Sequence, residues 1–353
     1  MQLPVPRGEV VRILVLGGSW FVGRTLVESA VARGHDVTVY NRGRSPAALP
    51  DGVRHVKGDR ESAADLKSLL QEGPWDAAVD VSGSVPAVVG RSAELLAPAT
   101  GHYTFVSTIS AYRDWPHAPV DEDSPLWDGY PDLDPVTRQW DPDAYGPLKV
   151  GCEMACERAF GKERLLILRP HVVLGPREYV GRLQWWLTRI HRGGDILVPA
   201  PDRGIQPVDV RDLSLFLLER VENLDNGVYN VAPKMGEATF GDMLNACADA
   251  VGVTNWPIIF VWVDEDWLTS RGVTEWTELP LWRNAAAPWS MRTDRAHAAG
   301  LRCRPLTRTV ADTWAWLRRG GRPVEHERFS EHGINPAREQ MLLKRWLTEH
   351  PQS

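Results

Sequence analysis

The chain has little cysteine, little lysine and no long apolar run. Among its 353 residues are only four cysteines, Cys152, Cys156, Cys247 and Cys303. None forms a CxxC pair, and no Cys/His spacing suits zinc, so no metal site is expected. Such cysteine usage fits a reducing, cytoplasmic setting. Six lysines against 34 arginines, with a formal net charge of -6, leave no basic excess. That argues against nucleic acid or an acidic membrane surface as partner. No apolar stretch approaches the ~18 residues of a membrane span. The opening residues MQLPVPRGEV lack the apolar core of a secretory signal. The one abundance is tryptophan: 16 Trp against seven Phe and seven Tyr.

Apolar residues make up 43% and charged residues 24%, an ordinary globular composition. The length suggests two domains, or one large domain with an added lobe. Residues 10–16 (VVRILVL) form a short β-branched run, as expected of a buried parallel strand. Residues 21–33 then carry apolar side chains at helical spacing, and Gly34 marks the stop. Further strands are expected at 36–40, 53–56, 77–81, 103–106 and 165–168, with helices at 62–70 and 87–96. Such alternation predicts parallel βαβ units. The fold class is therefore α/β, a Rossmann-like doubly wound parallel sheet over residues 9–175. Residues 176–353 are expected to form mainly a smaller C-terminal substrate-binding lobe, with some segments returning to the first domain. Residues 114–143, rich in Pro and Asp, read as a long surface loop.

The first strand runs straight into Gly17-Gly18-Ser19-Trp20-Phe21-Val22-Gly23, which opens a helix. Glycines permit a tight turn and close backbone approach, and a helix N-terminus offers free N–H groups to phosphate. This segment resembles the extended and atypical short-chain dehydrogenase/reductase superfamily, whose members often begin GGxGFIG or GGxxFVG. Trp20 stands where the extended members carry a middle glycine, which points to the atypical branch. The end of the second strand decides the cofactor. Tyr40-Asn41-Arg42-Gly43-Arg44 offers no carboxylate for a ribose hydroxyl and two cations for a 2′-phosphate, so NADP is favoured over NAD. The resemblance further implies adenine contacts from Asp59, with Arg60 beside it, and passage of Ser82 and Gly83 under the cofactor.

Tyr145-Gly146-Pro147-Leu148-Lys149 is a YxxxK motif. A tyrosine with a pKa near 10 is a poor base at neutral pH. A lysine four residues on shares its helical face and favours the phenolate. Pro147 is expected in the first helical turn, where proline is tolerated. In the family this tyrosine is the general acid/base for hydride transfer, and the lysine also holds the nicotinamide ribose. The resemblance places the third member, an orienting hydroxyl, at Thr108; Ser107 and Ser110 are alternatives.

The segment Arg169-Pro170-His171-Val172-Val173-Leu174-Gly175-Pro176 resembles the RPxxVxGP stretch of extended members. Sugar-nucleotide enzymes of the family usually carry Asn at the position of Val172 and Arg at that of Ile205, both facing substrate phosphates. Those two contacts are missing here; Arg177, Arg182 and Arg203 are the candidate substitutes. His171, Ser110 and the pair Trp185-Trp186 are candidate substrate contacts, since indoles suit a flat ring. The expected activity is an NAD(P)-dependent oxidoreductase reducing a carbonyl, or oxidising a secondary alcohol, on a small ring-containing non-nucleotide substrate. Alternatives are a redox-neutral sugar or sugar-nucleotide epimerase/dehydratase with bound cofactor, and a non-catalytic dinucleotide- or nucleic-acid-binding scaffold. A homodimer remains open.

Overall fold

The computed structural model describes residues 10–45, 48–137, 139–323 and 326–351. Residue 9, where the sequence starts the first domain, lies outside them. In chain order the first half runs β1 (Arg12–Leu16), α1 (Phe21–Ala32), β2 (Asp36–Asn41), β3 (Arg54–Lys57), α2 (Ala63–Leu69), β4 (Trp75–Asp80), α3 (Pro86–Leu96), β5 (Thr100–Val106), α4 (Pro142–Phe160) and β6 (Leu165–Pro170). The second half continues with β7 (Val173–Leu174), α5 (Arg182–Arg192), β8 (Gly194–Val198), β9 (Gly204–Ile205), β10 (Val208–Asp209), α6 (Val210–Glu222), β11 (Gly227–Val231), β12 (Ala238–Thr239), α7 (Phe240–Val251) and β13 (Ile258–Trp262). Beyond these lie α8 (Glu265–Ser270), β14 (Glu275–Trp276), β15 (Leu279–Pro280), α9 (Asp294–Ala298), α10 (Leu306–Arg318) and α11 (Pro336–Glu349).

Seven strands form one parallel sheet in the order β3-β2-β1-β4-β5-β6-β11. The order reverses between β1 and β4, which opens a crevice at the carboxyl ends of these strands. Alternate side chains of β1 serve opposite faces. Ile13 and Val15 enter the core under α1 and α6, while Leu14 and Leu16 enter the core under α2, α3 and α4. The sheet is thus covered on both sides, as a parallel sheet requires. β11 joins it from well inside the second half.

A separate core organises the rest of the C-terminal half. β8 pairs in parallel with β13, and α5, α7 and α10 pack beside them. Trp186, Trp282, Phe240 and Leu187 are almost wholly buried there. Much of the tryptophan excess is spent on this core and its margins.

Candidate active site

The glycine turn shows why glycine is needed at one position and not at another. A Cβ on Gly23 would lie 2.7 Å from the Gly18 nitrogen, because α1 folds back against the turn. Trp20 is the N-cap of α1 with extended backbone (φ -120, ψ 148), open to any residue. Its indole leans outward onto Tyr179 and His326, with ring centroids 6.0 and 6.1 Å away. Phe21, the next residue, has φ 30, a strained value for a side chain of that size. Val22 packs partly against the core, and Ser19 faces a cavity of about 250 Å³.

That cavity is lined by Ser19, Asn41, Gly43, Ser45, His55 and Lys57 among others. Asn41 is held in place: its amide donates to the Gly17 carbonyl at 2.8 Å, and its oxygen accepts from Gly43 N–H. Arg42 is exposed beside the cavity. His55 and Lys57 on β3 were not singled out from the sequence, because β3 is short and its register against β2 is not visible there. The tight turn and the adjoining polar cavity fit a dinucleotide.

Asp59 and Arg60 lead away from β3. The Asp59 carboxylate accepts from Glu61 N–H at 3.0 Å. Arg60 turns inward and binds Asp80 twice, at 3.0 and 2.7 Å. Asp80, the last residue of β4, is fully buried. Burial pushes its pKa up, but the Arg60 charge and hydrogen bonds and the Ser82 N–H outweigh this, so the carboxyl sits below its usual value. Ser82 Oγ donates to the Leu16 carbonyl at 3.0 Å. Gly83 is where a Cβ would strike the Phe105 ring.

Tyr145 and Thr108 are brought together by Gly146. A Cβ on Gly146 would lie 2.3 Å from the Ser110 carbonyl, so α4 presses directly on the turn after β5. Thr108 lies close enough to the Tyr145 phenol to draw its pKa down. Thr108 Oγ accepts from Ser110 N–H at 3.2 Å. Ser107 is buried, and its hydroxyl finds no protein partner among the described residues.

Pro147 corrects one expectation. α4 starts at Pro142, so Pro147 is the sixth residue and lies within the helix. Its missing N–H leaves the Asp143 carbonyl without its helical bond. The lysine also differs. Lys149 Nζ donates to the Gly83 and Val106 carbonyls, each at 2.8 Å, and rests 4.1 Å from the Phe105 ring centroid. The nearby cations that pull the Tyr145 pKa down are instead Arg328 and Arg182; burial outweighs them and Thr108, so the phenol sits above its ordinary value.

The other substrate candidates divide. His171 is buried, with Nε2 2.9 Å from the Pro288 carbonyl and Nδ1 accepting from Val172 N–H. Its ring stacks on Trp289 at 4.6 Å. Both nitrogens are committed, so the ring is part of the packing. Trp186 is fully buried and donates to the Pro280 carbonyl. Trp185 packs edge-on against it and beneath Gly333. The aromatic ring actually against Tyr145 is Trp140, 4.9 Å away, with the Arg328 guanidinium 3.9 Å above it. Arg328 comes from near the C-terminus, and among 34 arginines nothing in the sequence marks it.

Val172 and Ile205 are buried apolar residues of the second core. Of the candidate substitutes, Arg177 pairs with Glu28 and Arg203 with Glu265. Only Arg182 stays near the tyrosine. Among the described residues no three His, Cys, Asp or Glu side chains converge as metal ligands, and no helix is long and apolar enough to cross a membrane.

Comparison with known proteins bears on the fold. Residues 13–125 match the NAD dependent epimerase/dehydratase family. The chain is 28% identical over 264 residues to the chloroplast stem-loop binding protein of 41 kDa b of Arabidopsis thaliana, covering 68% of this chain and 63% of that protein. It is 42% identical over 77 residues, 22% of either chain, to 2'-dehydrokanamycin reductase of Streptomyces kanamyceticus. It therefore spans less than two thirds of the length of these curated relatives. Among solved structures, the Bordetella bronchiseptica enzyme WbmH in complex with NAD+ superposes with a TM-score of 0.66 at 18% identity, over 89% of this chain and 100% of that one. The resemblance to extended short-chain dehydrogenases and the Rossmann-like parallel sheet are both borne out.

Proposed function

We propose, from the match of residues 13–125 to the NAD-dependent epimerase/dehydratase family, that this chain is an NAD(P)-dependent oxidoreductase interconverting a carbonyl and a secondary alcohol on a small non-nucleotide substrate. The observation that carries this reading is the close seating of α4 on the turn after β5, which puts the half-buried Tyr145 phenol beside Thr108. A phenol held above its ordinary pKa keeps its proton at neutral pH, the state needed to protonate a carbonyl oxygen as it is reduced. Thr108 positions that oxygen. Lys149, fixed on two carbonyls, offers its remaining N–H to a ribose hydroxyl. Gly17, Ser19 and Gly23 would hold the pyrophosphate, and bound NAD(P) supplies the hydride at its nicotinamide C4.

NADP is favoured, because Lys57 lines a cavity that offers no carboxylate and the exposed Arg42 lies between two of its lining residues, Asn41 and Gly43. A non-nucleotide substrate is favoured, because Val172 and Ile205 give nothing polar to a diphosphate. The second reading is a redox-neutral epimerase or dehydratase, the kind of enzyme after which the matching family is named. Mass spectrometry of the purified protein separates them. Exchangeable NADP(H) supports the oxidoreductase; tightly retained, non-exchanging NAD supports the epimerase. A nucleic-acid-binding role, suggested by the Arabidopsis relative's name, is opposed by the net charge of -6.

A further inference from the structure

Two guanidiniums of the C-terminal half are short of hydrogen-bonding partners. Arg182, the first residue of α5, lies 3.3 Å from Glu178, whose carboxylate also accepts from the Arg182 and Leu183 N–H groups. That carboxylate is fully used. Arg182 Nε is nevertheless buried without a partner among the described residues. Its guanidinium lies 5.3 Å from the Trp276 ring centroid.

Arg283 reaches the same indole from another side. Its guanidinium is 4.5 Å from Trp276 and 4.6 Å from Trp115, held between two flat faces. It is half-buried, and among the described residues it makes neither a hydrogen bond nor an ion pair; Glu275 is near enough to favour its charge but does not pair with it. Most other buried or half-buried arginines here meet a carboxylate directly: Arg60 at 2.7 Å, Arg169 at 2.6 Å, Arg189 at 2.8 Å and Arg211 at 2.6 Å. A cation withdrawn from water with its N–H groups incompletely bonded is costly, and an aromatic face compensates only in part. Two guanidiniums sharing one indole therefore make a poor packing solution but a good receptor. Guanidinium N–H groups match the oxygens of a carboxylate or phosphate. The flat indoles beside them match a ring.

We propose that Arg182 and Arg283, held on Trp276, form an anion subsite that binds an oxyanion group of the substrate beside Tyr145. The substrate is thus a ring compound carrying a carboxylate or a phosphate ester, with its reacting carbon turned toward Tyr145. This rests on the oxidoreductase reading for the role of Tyr145, but binding at the subsite is testable without turnover.

The probes are benzoate, cyclohexanecarboxylate and phenyl phosphate, each set against the neutral benzamide, cyclohexanecarboxamide or phenol. Binding to the full chain with saturating NADPH is followed by calorimetry and by tryptophan fluorescence. At least one anion should bind ten-fold or more tightly than its neutral partner. The phenyl phosphate arm tells a phosphate ester from a carboxylate. Arg283→Met keeps the packed stem and should abolish the preference; Arg283→Lys keeps the charge and should retain part of it. If no anion outbinds its neutral partner in the unaltered protein, the proposal is wrong whatever the variants do. A preference that survives in both Arg283→Met and Arg182→Met also overturns it. Tyr145→Phe should keep the preference. If the preference holds but no hydride transfer is ever found, the oxidoreductase reading fails and the subsite stands.

Discussion

The carboxamide of Asn41 donates to the Gly17 carbonyl at 2.8 Å, tying the end of the second strand to the glycine turn. Its oxygen accepts from Gly43 N–H and faces His55 Nε2 at 3.0 Å. The side chain that would read a ribose hydroxyl is thereby occupied, and on the NADP reading recognition would pass to the cations around it. Arg42→Ala and Lys57→Ala should each raise the Kd for NADPH about ten-fold, the scale of one charge-assisted hydrogen bond, and leave NADH nearly unchanged. Fluorescence titration of both nucleotides checks this. Equal losses for the two would place the 2′-phosphate elsewhere.

Tyr145→Phe removes the proton and keeps the ring against Trp140. The kcat for carbonyl reduction should fall about 10²–10⁴-fold while NADPH affinity holds. Because the phenol is held above its ordinary pKa, reduction by the unaltered enzyme should stay flat across neutral pH. It should fall only in the alkaline range, above the ordinary tyrosine value near 10. A stopped pH–rate profile with an inflection near neutrality would mean a different group donates the proton.

Most of the sheet was legible because its strands carry short apolar runs and β1 flows directly into glycines; β11, which joins from the second half, was not expected. Tyr145 and Lys149 were legible because their spacing is local. The wall around the tyrosine was not. Trp140 sits in a loop without periodicity, and Arg328 arrives from near the end of the chain, so only the fold brings it to α4. The resting place of Lys149 was hidden for a similar reason. Spacing on one helical face says which residues are neighbours, but the carbonyls of Gly83 and Val106, from other segments, decide where the ammonium rests.

Asp80 was also invisible, since nothing in a strand-end carboxylate shows what it will face. It receives Arg60, the Ser82 N–H at 3.0 Å and the Tyr103 hydroxyl at 3.1 Å, with no exposure to solvent. Removing one partner of a buried pair leaves the other uncompensated. Asp80→Ala should cost about 3–5 kcal/mol in urea unfolding. Ser82 and Arg60 should lose their positions together, so nucleotide binding should weaken as well. A loss below about 1 kcal/mol would show that Arg60 swings out to solvent instead.

His171 sets an acid limit on the fold. Val172 N–H donates to Nδ1 at 2.8 Å, so Nε2 carries the proton and donates to the Pro288 carbonyl. A second proton would have to go on Nδ1, directly opposite an N–H group and away from water. Burial accordingly depresses the His171 pKa to about 3. The unfolded chain takes up that proton near pH 6.5 and the folded chain does not. The stability His171 contributes is therefore complete above about pH 6.5 and is lost as pH falls toward about 3, by about 1.4 kcal/mol per pH unit. In urea titrations between pH 7 and 5, His171→Gln should show a shallower decline than the unaltered protein by about that slope. Parallel curves would mean that the imidazole gains its proton in the folded state, and that the Trp289 stack opens to admit it.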